Sequence, residues 1–85
     1  MAKSIYTDAQ RALTDQLVAA RARANVTQVE LARRMKNSQS FVSKVERGEQ
    51  RIDVIELHAW CRALGISFTQ FTCELDKHLR RFEPD

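Results

Sequence analysis

The stretch TQVELARRMKNSQSFVSKVERGE, residues 27–49, holds two short amphipathic helices with almost nothing between them. Thr27 and Glu30 stand in capping-box register, a hydroxyl followed three residues later by a carboxylate. Leu31, Ala32 and Met35 follow as an apolar stripe at helical spacing. The stripe breaks at Lys36-Asn37, and Ser38 is a good N-cap for a new helix. In that helix Phe41, Val42 and Val45 point inward, and Gly48 ends it as a C′ glycine does. The two helices, about nine and about ten residues long, cross steeply, bury little surface by themselves and need a platform of other elements.

That platform is legible on both sides. Upstream, Thr7-Asp8-Ala9-Gln10 reads as a capping box opening a first helix. Leu13, Leu17, Ala20 and Ala24 line its apolar face, and Asn25 is the expected left-handed end. Downstream, Asp53 to Glu56 opens a fourth helix with Leu57, Trp60, Cys61 and Leu64 as its stripe, closed by Gly65. Ser67 to Gln70 opens a fifth, with Phe71, Leu75, His78, Leu79 and Phe82 on one face. The tail Glu83-Pro84-Asp85 is expected to fray. No segment alternates with period two, and no repeat or Ser/Gly linker interrupts the chain. The expectation is an all-α, compact five-helix domain over residues 1–85, with the two-helix unit at about 27–48 and helix 5 with its tail, about 67–85, available for dimerisation.

Composition narrows the class. With 85 residues, 2 Gly, 1 Pro and 29% charged residues, the chain is one domain, neither low-complexity nor turn-rich. No apolar run approaches the roughly 18 residues of a membrane span. The opening MAKSIYTDAQ has no apolar secretory core, and two unclustered cysteines suit a reducing compartment, so a cytoplasmic protein is expected. An enzyme with its own deep pocket is not expected at this size.

Charge is unevenly distributed. Residues 1–20 are net neutral, residues 21–51 are net +5, and residues 52–85 are net −2. A basic middle third points to a polyanionic partner, a solvated helix surface being the plain alternative. The outward face of helix 3, with Gln39, Ser40, Ser43, Lys44 and Arg47, carries donors and acceptors on a narrow rod. Major-groove reading requires such a face.

The same stretch resembles the phage repressor and Cro type of helix-turn-helix, the XRE-like regulators, over about Leu13 to Phe71. Ala32 falls on the tightly packed small position, and Leu31, Met35, Val42 and Val45 on the apolar ones. Gln28 matches the opening of helix 2, Ser38-Gln39-Ser40 that of the recognition helix, and Glu46-Arg47-Gly48 its end. Two positions depart from the pattern: Lys36 stands where glycine is usual, and Asn37 where an apolar residue is usual. Either Lys36 keeps a positive φ, costing about 1 kcal/mol, or Asn37 takes the left-handed backbone instead.

The resemblance implies a lambda-repressor-like fold and a sequence-specific regulator of double-stranded DNA, repressor-type and homodimeric, nucleoid-associated in a bacterial or phage setting. It assigns base reading to Gln39 and Lys44, Lys44 also being able to meet a phosphate, and to Ser40 and Ser43, each short enough for either. It assigns phosphate contacts to Gln28, Ser38, Arg47 and Arg51, and a structural salt bridge to Arg21 and Glu46. Phe41 either packs into the core or meets a thymine methyl; packing is favoured. His58, Cys61, Cys73 and His78 mimic a four-ligand zinc spacing, but Cys61 lies on an apolar stripe, so no metal, cofactor or catalytic residue is assigned. No small-molecule effector, effector-binding domain or membrane partner is expected. The alternative reading is a protein-interaction module of the same fold, antitoxin-like or a partner-binding adaptor, with weak DNA binding.

Overall fold

The computed structural model describes residues 5–83, and among these it is all-helical. Helix α1 spans Ile5–Arg23, α2 Gln28–Met35, α3 Gln39–Glu46, α4 Val54–Leu64 and α5 Phe68–Leu79, followed by a 3-10 turn over Arg80–Phe82. The five expected helices are all present. Helices α2 and α3, at eight residues each, are slightly shorter than expected.

The start of α1 differs from expectation. Thr7 lies inside the helix, which already runs from Ile5. No Gly or Pro stands at the start to stop it, and Asp8 in the first turn complements the positive end of the helix dipole. A hydroxyl that can cap is no obstacle when the preceding backbone stays helical. The end of the chain differs too: α5 stops at Leu79, and Phe82 follows in the 3-10 turn, which packs back against α1. Pro84 and Asp85 lie outside the described residues.

Helix ends explain the tight path through the middle of the chain. At α2, the Asn37 amide donates to the Ala32 carbonyl at 2.9 Å and the Lys36 amide to the Arg33 carbonyl at 3.1 Å. This is a Schellman closure, and it needs a left-handed residue at its C′ position. Lys36 takes that conformation, φ 56° and ψ 43°, so the lysine itself carries the left-handed strain and Asn37 does not. Asn37 instead accepts the Ser38 amide on Oδ1 at 2.8 Å, and Ser38 Oγ accepts the Phe41 amide at 3.0 Å. After α3 the same closure recurs, Glu49 amide to Lys44 carbonyl at 2.9 Å and Gly48 amide to Val45 carbonyl at 3.0 Å, with Gly48 at φ 75°.

Beyond α1, the N-caps fall on the expected residues, Thr27, Ser38, Asp53 and Ser67. Asp53 and Glu56 form a complete capping box. Thr27 accepts the Glu30 amide at 3.1 Å, but the Glu30 carboxylate does not reach back; it turns along the helix to Arg33 and Arg34. Two guanidiniums one turn away are stronger partners for a carboxylate than one backbone amide.

The core gathers one face of each helix. Leu17, Leu31, Val42, Val45, Trp60 and Cys61 are fully enclosed, and Phe41 and Phe71 nearly so. Burying a leucine or valine completely stabilises the fold by about 1.5–3 kcal/mol. Phe41 is therefore a packing residue, as favoured from the sequence. Gln16 ties α1 to α5, its Nε2 donating to the Phe71 carbonyl at 2.8 Å. Arg34 ties α2 to α4, its Nη1 donating to the Ala63 carbonyl at 2.8 Å. Helix α3 is held from behind by α2 and α1, and its outer face stays open.

Candidate nucleic-acid interface

The open face of α3 follows from its eight residues. Phe41, Val42 and Val45 take the inward side, so Gln39, Ser40 and Lys44 stand exposed on the other, with Ser43 half-exposed between them. The backbone amides of the first helical turn have no intrahelical acceptor. Ser38 Oγ satisfies that of Phe41.

The angle of this rod is set at its far end. Glu46 is 6% exposed and sits in a cluster of donors. Arg21 Nε reaches its Oε2 at 2.6 Å, Arg21 Nη2 its Oε1 at 2.9 Å, and Gln28 Nε2 the same Oε1 at 2.9 Å. Arg21 Nη1 donates to the Val26 carbonyl at 2.9 Å. The Glu46 carboxylate therefore joins the end of α1, the start of α2 and the end of α3, and Arg21 ties in the loop before α2. The hydrogen bond to Glu46 also raises the Arg21 guanidinium above its ordinary value, against the opposing effect of burial.

With this two-helix geometry in place, comparison with known proteins places the chain. The helix-turn-helix family profile matches residues 17–71. The structure superposes with a TM-score of 0.82 on an XRE-family like protein from Pseudomonas syringae pv. tomato str. DC3000, at 42% identity over 87% of this chain and 90% of that one. The chain belongs to the XRE-type helix-turn-helix family. This helix-turn-helix protein is also similar to the clp gene regulator ClgR from Corynebacterium glutamicum, with a TM-score of 0.73 and 30% identity over 85% of this chain and 77% of that one. The restriction-modification controller protein C.Esp1396I, solved as a tetramer with its natural 35 base-pair operator, shares the fold. Its TM-score is 0.75, at 20% identity over 84% of this chain and 93% of that one. No curated protein matches.

Around α3 the cations of the helix-turn-helix protein are not equally available. Arg51 and Lys44 are exposed. Arg47 is bound within its own segment: Nε and Nη2 donate to Glu49 at 2.9 and 3.1 Å, and Nη1 to Ser43 Oγ. Arg33 and Arg34 both donate to Glu30, whose carboxyl is pulled down to about 2, first by the hydrogen bond from Arg33 and then by that from Arg34. Gln28 is half-buried with its amide nitrogen on Glu46, so its side chain faces the interior of the two-helix unit.

Sequence reasoning missed the Gln28–Glu46 bond, which joins residues 18 apart and has no local signature. It also missed the Ser43–Arg47–Glu49 chain, although Ser43 and Arg47 stand one helical turn apart and that spacing announces contact. His58, Cys61, Cys73 and His78 do not converge. His58 meets Phe68 edge-on at 5.2 Å, Cys61 is buried and Cys73 exposed, and among the described residues no three potential ligands cluster. Burial pushes the Cys61 thiol up to about 11. No helix among the described residues is long and apolar enough to cross a membrane.

Proposed function

We propose that this chain is a sequence-specific, double-stranded-DNA-binding transcriptional regulator of repressor type, cytoplasmic and homodimeric, reading the major groove with α3. The observation that carries the reading is the exposed face of Gln39, Ser40, Ser43 and Lys44 on a helix fixed at its far end by Arg21, Gln28 and Glu46. A glutamine amide pairs bidentately with adenine, and a lysine donates to guanine O6 and N7 or to a phosphate. ClgR is described as a gene regulator and C.Esp1396I was solved on its operator, which supports carrying the same class of partner to this chain.

Phosphate contacts fall to Gln28, Ser38, Arg47 and Arg51. At Gln28 the backbone amide at the start of α2 is the donor, because the side-chain nitrogen is engaged by Glu46. At Ser38 the hydroxyl hydrogen remains available while its oxygen caps α3. A single module of this size touches few bases, which favours a dimer on half-sites about one helical turn, 34–36 Å, apart. The half-exposed Leu79 and Phe82 mark its surface on α5 and the 3-10 turn, whereas Leu75 already packs on its own core.

The second reading, a protein-interaction module, draws on Val54 and Ile55 at the start of α4, which are 63% and 74% exposed. Binding-site selection from a random duplex pool, followed by salt titration, decides between the two. A DNA reader enriches a near-palindromic site and loses affinity steeply with salt through counterion release. An unenriched pool with no salt dependence rejects the DNA reading.

A further inference from the structure

Arg47 closes α3, at the end of the face assigned to DNA, yet its guanidinium is already engaged. Nε and Nη2 lie on the two oxygens of Glu49 at 2.9 and 3.1 Å, and Nη1 lies on Ser43 Oγ. Fork against carboxylate is the geometry in which arginine also takes a phosphate. The backbone holds Glu49 in this place: the amides of Glu49 and Gln50 both donate to the Lys44 carbonyl, at 2.9 and 3.3 Å. The positive charge of Lys44 adds to that of Arg47 in keeping the Glu49 carboxylate ionised. The two side chains of the pair are 53% and 56% exposed. Exposed pairs contribute little to stability, so fold stabilisation does not account for an acid set just past the end of α3, on Arg47.

We propose that Glu49 is a specificity-determining residue, its carboxylate standing on Arg47 where a backbone phosphate would stand, so that DNA engages this end of α3 only where a phosphate is placed well enough to replace it. The proposal rests on the reading of α3 as the groove-reading helix and names a residue that tunes it. A phosphate in the wrong register meets a carboxylate and is repelled. A phosphate in the right register takes the Arg47 fork and releases the Ser43 hydroxyl toward the groove. Like-charge opposition of this kind separates partners by disfavouring the wrong one. Glu49 thereby lowers affinity for duplex at large more than affinity for the proper site.

The test compares the full chain with Glu49→Gln and with Asp76→Asn. Asp76 pairs with Arg80 at 3.0 Å on α5, also exposed, so its loss frees an arginine and changes net charge equally, away from α3. Affinity is measured by fluorescence anisotropy for a random-sequence duplex of about 20 base pairs and for the best duplex selected by the wild type, between about 50 and 200 mM salt. Expected for Glu49→Gln is about 3–10-fold tighter binding to the random duplex, a smaller gain on the selected one, and a salt slope steeper by about one. Its melting temperature stays at the wild-type value, and Asp76→Asn binds like the wild type. The proposal is overturned if Glu49→Gln matches the wild type in both affinities and slope, if it binds more weakly, or if Asp76→Asn produces the same gain. Absence of salt-dependent duplex binding by both the wild type and Glu49→Gln would instead remove the reading of α3 itself.

Discussion

The Arg21 guanidinium meets the Glu46 carboxylate side-on across 25 positions of sequence, Nε to Oε2 at 2.6 Å and Nη2 to Oε1 at 2.9 Å. The two are unequally sheltered, with Glu46 6% and Arg21 19% exposed. Breaking a buried pair leaves an uncompensated charge, and the more enclosed charge suffers more. Arg21→Ala strands the carboxylate with only the Gln28 amide; Glu46→Ala leaves Arg21 its bond to the Val26 carbonyl. Urea unfolding should therefore show a loss of about 2–4 kcal/mol for Arg21→Ala and a smaller one for Glu46→Ala. The double variant should fall short of the sum by about 1–3 kcal/mol. Additive losses would mean that the pair does not fix the angle of α3.

Lys36 supplies a second expectation. It holds φ 56° to close α2, a conformation in which a side chain meets steric resistance that glycine escapes. Lys36→Gly should raise stability by about 0.5–1 kcal/mol by chemical denaturation, relief of strain outweighing the added freedom of the unfolded chain. Asn37→Gly should give no gain, since Asn37 Oδ1 accepts the Ser38 amide and that bond is lost.

These two residues mark how far the sequence could be read. The five helices were legible because periodicity, caps and glycines agree in a chain with little else to confuse them. Lys36 and Asn37 could not be separated in advance: the choice depends on whether the closure of α2 puts its left-handed residue one position earlier or later, and both residues are long enough to hydrogen-bond locally. The polar face of α3 was legible from the apolar positions of Phe41, Val42 and Val45, which leave only one outward side. The state of its arginines was not. Arg33, Arg34 and Arg47 count equally in net charge, yet Glu30 holds the first two and Glu49 the third.

Glu30 gives a pH dependence whose sign can be worked out. Its carboxyl is drawn down to about 2 in the folded chain, from an ordinary value of 4.5, by Arg33 and then Arg34. The folded state thus binds this proton more weakly than the unfolded state. The contribution is complete above about 4.5 and disappears as pH falls through about 2. Glu30→Gln should be less stable than the wild type at neutral pH, with the difference shrinking as pH falls below about 4.5 and the two stabilities converging only below about pH 2. Side-chain carbonyl NMR titration reads the Glu30 midpoint directly; a value near 4.5 would show that solvent screens the two guanidiniums.

The cysteines should separate by reactivity. Thiolates, not thiols, attack disulfide reagents. Cys73 is exposed, whereas Cys61 is enclosed beside Trp60 with its thiol pushed up to about 11 by burial. A chromogenic disulfide reagent at neutral pH should titrate one thiol in the native chain and two in denaturant. Cys73→Ser should abolish the native signal, while rapid modification of both thiols in the native chain would mean that the core around Trp60 opens readily.

The division of labour on the DNA face is the last expectation. Gln39 stands at the start of α3 with its amide exposed, and Arg51 stands beyond its end with a free-standing charge. A side chain that reads a base edge loses affinity only where that base is present; one that meets phosphate loses it everywhere. Gln39→Ala should relax preference by about 1–3 kcal/mol at one base pair of each half-site while leaving random duplex unaffected. Arg51→Ala should weaken all duplexes alike and reduce the salt slope by about one. Anisotropy titrations on a panel of single-base-pair variants of the selected site measure both. If the two substitutions produced the same profile, the end of the helix and the loop beyond it would be performing one task, and the assignment of reading to α3 and clamping to its flanks would be wrong.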